Sequence, residues 1–351
     1  MPATNSVLFP KYGDDSTNFS GKANTCRTVE RVAKTTPGHW HTEKMQKGPI
    51  LKRCLIAGVA STLTLVLVGS AVAQLAVTSN SERNAAALLE KYAALAPQLT
   101  QNQYRRPLFL ESSESEKTVD SDVYAVLDSP FSIVSITFKR PNQWCEVLIL
   151  HINTKYCRAS SEASPSKLLV SIGKKSAQQL KDAFSLEFIF QLAAASPNYL
   201  AVQLNANKGP LGTTDYSIQL QAVPIPNGKT FIHLHYSYGY GLTSRLSMQA
   251  YLATVGRGKV GFTQINQEQR LGYVSGMRGA IERNTMRYYL AIEAYLASLN
   301  QPPEQQFNTR LQYWFNATEE YSLQLHEVGR NDYLLMKKDE YQRQRALLPA
   351  N

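Results

Sequence analysis

Between residues 167 and 240, apolar and polar residues alternate with a period of two, which is typical of β-strands with one buried face. The clearest run is Phe184–Leu192, where every second residue is apolar. Asn227-Gly228 is a strong signal for a two-residue hairpin. Because short turns join successive strands, their pairing must be antiparallel. We predict a meander with strands at Lys167–Ile172, Phe184–Leu192, Tyr199–Ala206, Thr214–Val223 and Thr230–Tyr240.

Upstream of the meander, the pattern predicts a helix, two strands and a second helix. Residues 84–94 are rich in Ala and Leu, which favours a helix. The apolar runs Leu108–Leu110 and Val119–Leu127 are typical of strands. Pro130 fits the first turn of a helix whose apolar residues recur at helical spacing, at Phe131, Val134 and Phe138. The stretch Trp144–Leu150 leaves helix and strand both open.

Downstream, helices dominate. Leu242–Val255 is expected to be helical, followed by a small hairpin within Val260–Val274. Met277–Leu299 is the longest predicted helix, because its apolar residues lie along one face until two prolines stop it. Polar helices rich in aromatic residues follow, at Glu304–His326 and Asp332–Arg345. The sequence thus predicts an α+β fold, in which a curved antiparallel sheet packs on a long C-terminal helix and extra helices lie at both ends.

Residues 45–73 have the features of a secretory signal peptide: a cationic start, an apolar run, and Ala71-Val72-Ala73 at the end. Cleavage between Ala73 and Gln74 would place the protein in the periplasm or outside the cell. The alternative is an uncleaved inner-membrane anchor over residues 54–73, which at about 20 residues is just long enough to span. Residues 1–44 are polar, and we interpret them as a disordered tail from a start codon placed too early.

The remaining chain divides by pattern into three parts. Residues 74–118 hold the first helix and a linker, residues 119–300 the α+β domain, and residues 301–351 a C-terminal helical extension. After residue 73 the chain contains two cysteines, Cys145 and Cys157. We predict a disulfide between them, since an exported protein meets oxidising conditions.

The positive net charge of the chain suggests nucleic-acid binding, but the distribution of the charged residues does not support this function. The chain has 37 Lys and Arg and 27 Asp and Glu, a formal charge of +10. Nine of these cations and four of these anions precede residue 74, which leaves +5 for the rest. No basic run interleaved with aromatics is present, so no nucleic-acid partner is expected.

The order of elements resembles the START-like (helix-grip) lipid-transfer superfamily. The likeness begins with Val123–Val134, which is similar to the opening strand and first helix of that superfamily, and Trp144 stands where such sequences often have a tryptophan. Arg283–Leu299 would be the gripping helix. The resemblance covers about residues 119–300 and implies an apolar cavity for a lipid or another hydrophobic molecule. The segment between Tyr240 and the long helix departs from it as an unusual insertion.

Two groups are candidates for ligand binding. One is the run Tyr236, Tyr238 and Tyr240, whose hydroxyls could line a pocket mouth beside glycines, although the pattern favours aromatic packing with a bulge or strand end at the glycines. The other lies on the long helix, where arginines could bind a carboxylate or phosphate or simply form a solvated face. The residues of this second group are Arg278, Glu282, Arg283 and Arg287, and Tyr289 of the same helix is a further candidate.

Catalytic and metal signatures are weak. His233 and His235 project to the same face of a strand, but two imidazoles without further ligands make a poor metal site, so no metal and no cofactor are predicted. No nucleophile elbow, phosphate loop or dinucleotide fingerprint occurs, and enzyme function is not supported. The sequence favours an exported protein that binds or transfers a hydrophobic small molecule or lipid. The alternative is an envelope interaction protein that uses its C-terminal aromatic helices to bind a protein partner.

Overall fold

The computed structural model describes residues 80–160, 165–254, 256–267 and 270–347. The predicted leader, with its cleavage site at Ala73 and Gln74, lies outside these residues. Eight strands form one antiparallel sheet in the order β1-β2-β8-β7-β6-β5-β4-β3. The strands are β1 (Leu108–Glu114), β2 (Thr118–Leu127), β3 (Thr154–Ser160), β4 (Lys167–Ile172), β5 (Phe184–Ser196), β6 (Tyr199–Lys208), β7 (Thr213–Ile225) and β8 (Lys229–Tyr240).

The helices precede, interrupt and follow this sheet, and a small separate hairpin stands before the longest of them. The described part of α1 covers residues 80–94. The other elements are α2 (Ala96–Thr100), α3 (Phe131–Phe138), α4 (Pro141–Leu148), α5 (Leu242–Thr254), β9 (Gln264–Gln267), β10 (Arg270–Tyr273), α6 (Gly276–Ser298), α7 (Pro303–Glu319), α8 (Ser322–Leu325) and α9 (Arg330–Ala346).

The long helix α6 lies against the inner face of the sheet, where it contacts β1, β2 and β8, while α3 contacts β7 and β8. Apolar residues that alternate along the strands point to this face, so they pack with α6 into one core, as Leu220, Leu234 and Ile281 do. Strand, helix pair, antiparallel meander and long closing helix occur in the predicted order. The fold is α+β and START-like, as predicted.

The meander is confirmed in detail, and its hairpin signal is correct. Asn227 and Gly228 both have positive φ, at 64° and 67°, which is the conformation that a type I′ turn requires between β7 and β8. The ambiguous segment after residue 140 is helical, as α4. Strand β3 was not predicted, because its first four residues are all buried and no alternation shows in the sequence.

The predicted disulfide between Cys145 and Cys157 is present and joins α4 to β3. The bridge closes a short loop of sequence separation 12. By the chain-entropy relation, a loop of this length stabilises the fold by about 3 kcal/mol. The bridge therefore fixes the helix pair to the edge strand of the sheet.

The C-terminal helices pack into the main core, which corrects the interpretation of their aromatic residues as a partner surface. Trp314, Phe315, Tyr321 and Tyr333 are all buried. Trp314 and Tyr333 stack with ring centroids 4.9 Å apart. These side chains are therefore committed to the fold and cannot form an exposed contact surface.

The outer face of the sheet has a second apolar cluster, which α1 and α2 cover. Leu88 and Leu99 from these helices pack with strand residues such as Val223 and Phe231. Within the described parts of the chain, no helix combines the length and the apolar character needed to cross a membrane.

Candidate functional site

Four tyrosines meet between the inner face of the sheet and α6, and we call them the tyrosine cluster. Tyr236 and Tyr238 point inward from β8, Tyr216 comes from β7 and Tyr288 from α6. The rings of Tyr216 and Tyr238 stack with centroids 5.2 Å apart, and the rings of Tyr236 and Tyr288 meet edge to face at 5.3 Å. Alternation along β8 explains the inward direction of Tyr236 and Tyr238.

Most polar atoms of the tyrosine cluster have no protein partner. The hydroxyl of Tyr216 lies 2.8 Å from the Thr213 hydroxyl. The hydroxyls of Tyr236, Tyr238 and Tyr288 form no hydrogen bond with any residue that the structure describes. Ser121 of β2, which pairs directly with Tyr236, has a fully buried hydroxyl that also lacks a partner. A fully buried polar group without a hydrogen bond costs about 1–3 kcal/mol, and this applies to the Ser121 hydroxyl, whereas the three tyrosine hydroxyls are free to bind water or a ligand.

Arg283 on α6 adds a positive charge beside the tyrosine cluster. Its side chain is only 5% exposed, yet among the described residues it makes one hydrogen bond, from Nη1 to the Val260 carbonyl at 3.1 Å. A guanidinium has five N–H donors, so most of its binding capacity is unused. Burial and the neighbouring Arg287 lower the pKa of Arg283 from 12.5 to about 10.

The surroundings of Arg283 contain more positive than negative charge. Glu327 accepts a hydrogen bond from Arg287 at 2.7 Å and one from Lys175 at 2.6 Å, and Lys259 lies 3.8 Å away. Burial alone would raise the pKa of Glu327, but the charges of Arg287 and Lys175 lower it. One carboxylate thus serves three cations, and Arg283 is a fourth that forms no ion pair with a described residue, although the charges of Glu327 and Glu282 both act on it. This region is suited to an anionic ligand.

Burial raises the pKa of every member of the tyrosine cluster, in the case of Tyr216 to about 12. The hydroxyls therefore stay protonated at physiological pH and can both donate and accept hydrogen bonds. A tyrosine with a raised pKa is a poor proton donor in catalysis, because efficient general acids have pKa values near the working pH. This environment favours binding over acid–base chemistry.

The tyrosine cluster extends to the protein surface below α5. Tyr216 and Tyr288 are only partly buried, and so are Met248 and Leu252 of α5, which pack against the same core. The helix itself buries a single residue, Ser244. An element with so few buried contacts opens at lower free energy than the core does. Helix α5 is therefore a loosely packed element against the core that contains the tyrosine cluster.

The structure brings only some of the sequence-predicted ligand residues together. Tyr236, Tyr238 and Arg283 lie in one region, and the charge of Arg283 acts on the pKa of Tyr238. Tyr240 is at the end of β8, where its hydroxyl donates to the Ser115 carbonyl at 2.6 Å. Tyr289 points to another side of α6 and donates to Glu293, which also binds Arg106 at 2.8 Å.

Glu282 and Arg278 do not belong to the tyrosine cluster. They form hydrogen bonds that fix the loop before α6 and strand β1. Glu282 is completely buried and accepts hydrogen bonds from the backbone N–H of Phe262 and Thr263. Ser112 of β1 donates to Glu282 and accepts from Arg278 Nε at 2.8 Å. A Cβ at Gly261 would lie 2.4 Å from the Glu282 carboxylate, so only glycine permits this approach.

On the outer face of the sheet, the two predicted histidines meet a carboxylate that the sequence did not reveal. Asp122 Oδ1 lies 2.6 Å from His233 Nε2 and 2.8 Å from His235 Nδ1. Burial raises the pKa of Asp122, but the hydrogen bonds from both histidines outweigh it and hold that pKa well below its usual value. Burial lowers the pKa of His235, whereas Asp122 raises it, and the net change is upward. The pairing of β2 with β8 is what places Asp122 opposite His235.

Sequence comparisons identify no relative: no family model matches the chain, and no curated protein matches it. Some similarity to solved structures is found. Human StAR-related lipid transfer protein 5 is 9% identical, with 64% of this chain and 99% of that chain covered and a TM-score of 0.31. A StAR-related lipid transfer protein from Xanthomonas axonopodis is 10% identical over 42% of this chain and 86% of its own, with a TM-score of 0.28.

Norcoclaurine synthase from Thalictrum flavum, in complex with a transition-state analogue, is 14% identical. It covers 41% of this chain and 89% of its own, at a TM-score of 0.30. With TM-scores below 0.5, these likenesses support no inference about activity. The description of the fold as START-like rests on the order and packing of its elements.

Proposed function

We propose that this protein binds a lipid or another hydrophobic small molecule with an anionic end, in the space between the sheet and α6. The anionic end binds Arg283 and the hydroxyls of the tyrosine cluster. The apolar body lies against inner-face side chains such as Ile218 and Leu234. The observation that supports this most directly is the unused hydrogen-bonding capacity of Arg283, Ser121 and three tyrosine hydroxyls in one region of the inner face.

The charge balance selects the chemistry of the ligand. A carboxylate or phosphate would accept hydrogen bonds from Arg283 and neutralise the surplus positive charge around Glu327. A neutral apolar molecule would leave that charge uncompensated, and a cation would increase the repulsion. A fatty acid or a lipid with an exposed phosphate has the required combination of an anionic end and an apolar body.

The test is organic extraction of protein purified without detergent from cells that produce it, followed by mass spectrometry. We expect an anionic amphiphile from the wild type in near-stoichiometric amount. Arg283→Gln removes the charge that binds the anionic end and is expected to reduce the recovered ligand at least tenfold. Arg278→Gln is the matched control, since Arg278 is on the same helix but binds Ser112.

Two outcomes would contradict the proposal. One is wild-type protein that is correctly folded by circular dichroism and empty in every preparation. The other is equal loss of ligand in Arg283→Gln and Arg278→Gln, because the tyrosine cluster would then have no special part in binding.

We also propose that the protein works outside the cytosol, after cleavage between Ala73 and Gln74. The disulfide between Cys145 and Cys157 supports this location, because such bonds persist in oxidising compartments. Intact mass measured without reductant is expected to match a chain that starts at Gln74 and has lost two hydrogens. A cytosolic chain that keeps residues 1–73 and has both thiols reduced would contradict export.

A further inference from the structure

We propose that Asp122, His233 and His235 form a binding site for a divalent first-row transition ion such as Zn²⁺ on the outer face of the sheet. The three ligand atoms come from two neighbouring strands and lie within 4.8 Å of one another. This site is on the opposite side of the sheet from the tyrosine cluster. The proposal is thus independent of the proposed ligand.

The distances between the donor atoms fit a tetrahedral ion after a small adjustment. Zn²⁺ binds nitrogen and oxygen ligands at about 2.0–2.1 Å, so two ligands of a tetrahedral site are about 3.3 Å apart. Asp122 Oδ1 is now 2.6 Å from His233 Nε2 and 2.8 Å from His235 Nδ1. The two contacts of Asp122 must open by about 0.5–0.7 Å, and the two imidazole nitrogens, which lie within 4.8 Å of one another, must settle near 3.3 Å, adjustments that side-chain rotations can provide.

The surroundings hold the donors in orientation. Tyr124 stacks on the His233 ring, with centroids 4.3 Å apart and planes 7° from parallel. The ammonium group of Lys91 on α1 lies 4.6 Å from the centroid of the same Tyr124 ring. Gln221 Oε1 is 3.4 Å from His233 Nδ1, where it can accept the proton of the tautomer that leaves Nε2 as a ligand. Strands β2 and β8 form the rigid frame beneath.

The donor set selects the class of ion. Two imidazoles and one carboxylate suit Zn²⁺ and its first-row neighbours, whereas Mg²⁺ and Ca²⁺ prefer oxygen ligands throughout. The three side chains are 18–24% exposed, so an ion can reach them from solvent. Three protein ligands leave a fourth position open for water or an anionic ligand, in the manner of a functional rather than a closed structural zinc site.

The test is Zn²⁺ binding to the full chain by equilibrium dialysis, without reductant and after treatment with a chelator. We expect one ion per wild-type chain. Asp122→Asn and His235→Gln each remove one donor and are expected to weaken binding at least tenfold. His326→Gln is the matched control, because His326 also contacts a carboxylate, Glu319 at 2.9 Å, but belongs to no three-donor cluster among the residues that the structure describes.

Spectra of the Co²⁺-loaded protein provide a readout that does not depend on affinity. We expect visible absorption bands of a four-coordinate site in the wild type and in His326→Gln, and their loss in Asp122→Asn. Circular dichroism verifies that each variant is folded, and His235→Gln decides the matter if Asp122→Asn does not fold. Absence of stoichiometric Zn²⁺ binding by the wild type, or binding by both ligand variants at wild-type affinity, would overturn the proposal.

Discussion

The environment of Arg283 is unfavourable for its positive charge. It is almost fully buried, its neighbour Arg287 has the same charge, and the nearby carboxylate Glu327 already binds other cations. Burial and Arg287 lower its pKa to about 10, which means that the fold destabilises the charged form. Such a cost is typical of functional sites, where stability is given up for binding.

Replacement of Arg283 by methionine is therefore expected to stabilise the ligand-free protein. The variant loses one hydrogen bond to Val260 but removes a buried charge without a counter-ion. Because replacing poorly compensated buried charges by apolar residues is often stabilising, we expect the free energy of unfolding to rise by about 1 kcal/mol. Urea denaturation of protein from which bound lipid has been extracted measures this change in the free energy of unfolding. A loss of stability would show that Arg283 has a structural role instead.

Glu327 provides the contrasting case. Its replacement by glutamine leaves Arg287, Lys175 and Lys259 together without a carboxylate. Removing one partner of a buried ion pair costs about 3 kcal/mol or more, so we expect a loss of this size in the same denaturation experiment. An unchanged midpoint would mean that the cations are better solvated than their burial indicates.

Sequence reasoning found some of these residues and missed others for a physical reason. Tyr236 and Tyr238 were found because alternation along one strand shows which face they share. Ser121 and Asp122 were missed, since both act through residues on the neighbouring strand, more than 100 positions away. Tyr288 was missed because a tyrosine on an apolar helix face looks like an ordinary core residue.

At the scale of elements, α9 is fixed to β3 by a buried group of charges. Glu340 of α9 binds Lys155 of β3 at 2.9 Å and Lys337 of its own helix at 2.7 Å. Lys337 also donates to the Thr154 carbonyl. Two lysines thus share one carboxylate in the interior, and burial lowers the pKa of Lys337 from 10.5 to about 8.

This shift predicts a distinctive dependence of stability on pH. Between pH 8 and 10.5 the unfolded chain binds a proton at Lys337 that the folded chain has lost, so this residue favours the folded state increasingly as pH rises. From pH 8 to pH 10 we expect Lys337 to contribute an increase on the order of 2 kcal/mol, read as the difference between the wild type and Lys337→Met, because the ionisation of unfolded tyrosines lowers the stability of both proteins equally. Lys337→Met is expected to remove most of this increase, measured by urea denaturation. Parallel pH profiles for both proteins would contradict the assignment.

The elements differ in how well the sequence revealed them. The meander was predicted closely because alternation and turn residues are local signals, and the boundaries of β4 agree at both ends. Strand β3 lies between α4 and α9, and its first four residues are buried whether they are polar or apolar, so its sequence does not show a period of two. The C-terminal helices were predicted as elements, but their polar composition concealed how deeply Trp314 and Tyr333 are buried.

At the scale of the whole molecule, the sheet separates the two proposed sites, which differ in chemistry. Its inner face carries apolar side chains, tyrosine hydroxyls and the charge of Arg283, where we propose a hydrophobic ligand. Its outer face carries Asp122, His233 and His235, where we propose a metal ion. A groove of about 420 Å³ on α7 is separate from both sites and is lined by Gln305, Asn308, Thr309, Gln312, Tyr313 and Asn316.

The central claim is that a ligand occupies the space between β8 and α6, and a crystal structure of protein purified from its native source tests it most directly. We expect elongated density that ends within hydrogen-bond distance of Arg283 and of hydroxyls of the tyrosine cluster. Density that shows these hydroxyls bound only to one another or to water, with protein side chains filling the remaining space, would contradict the account.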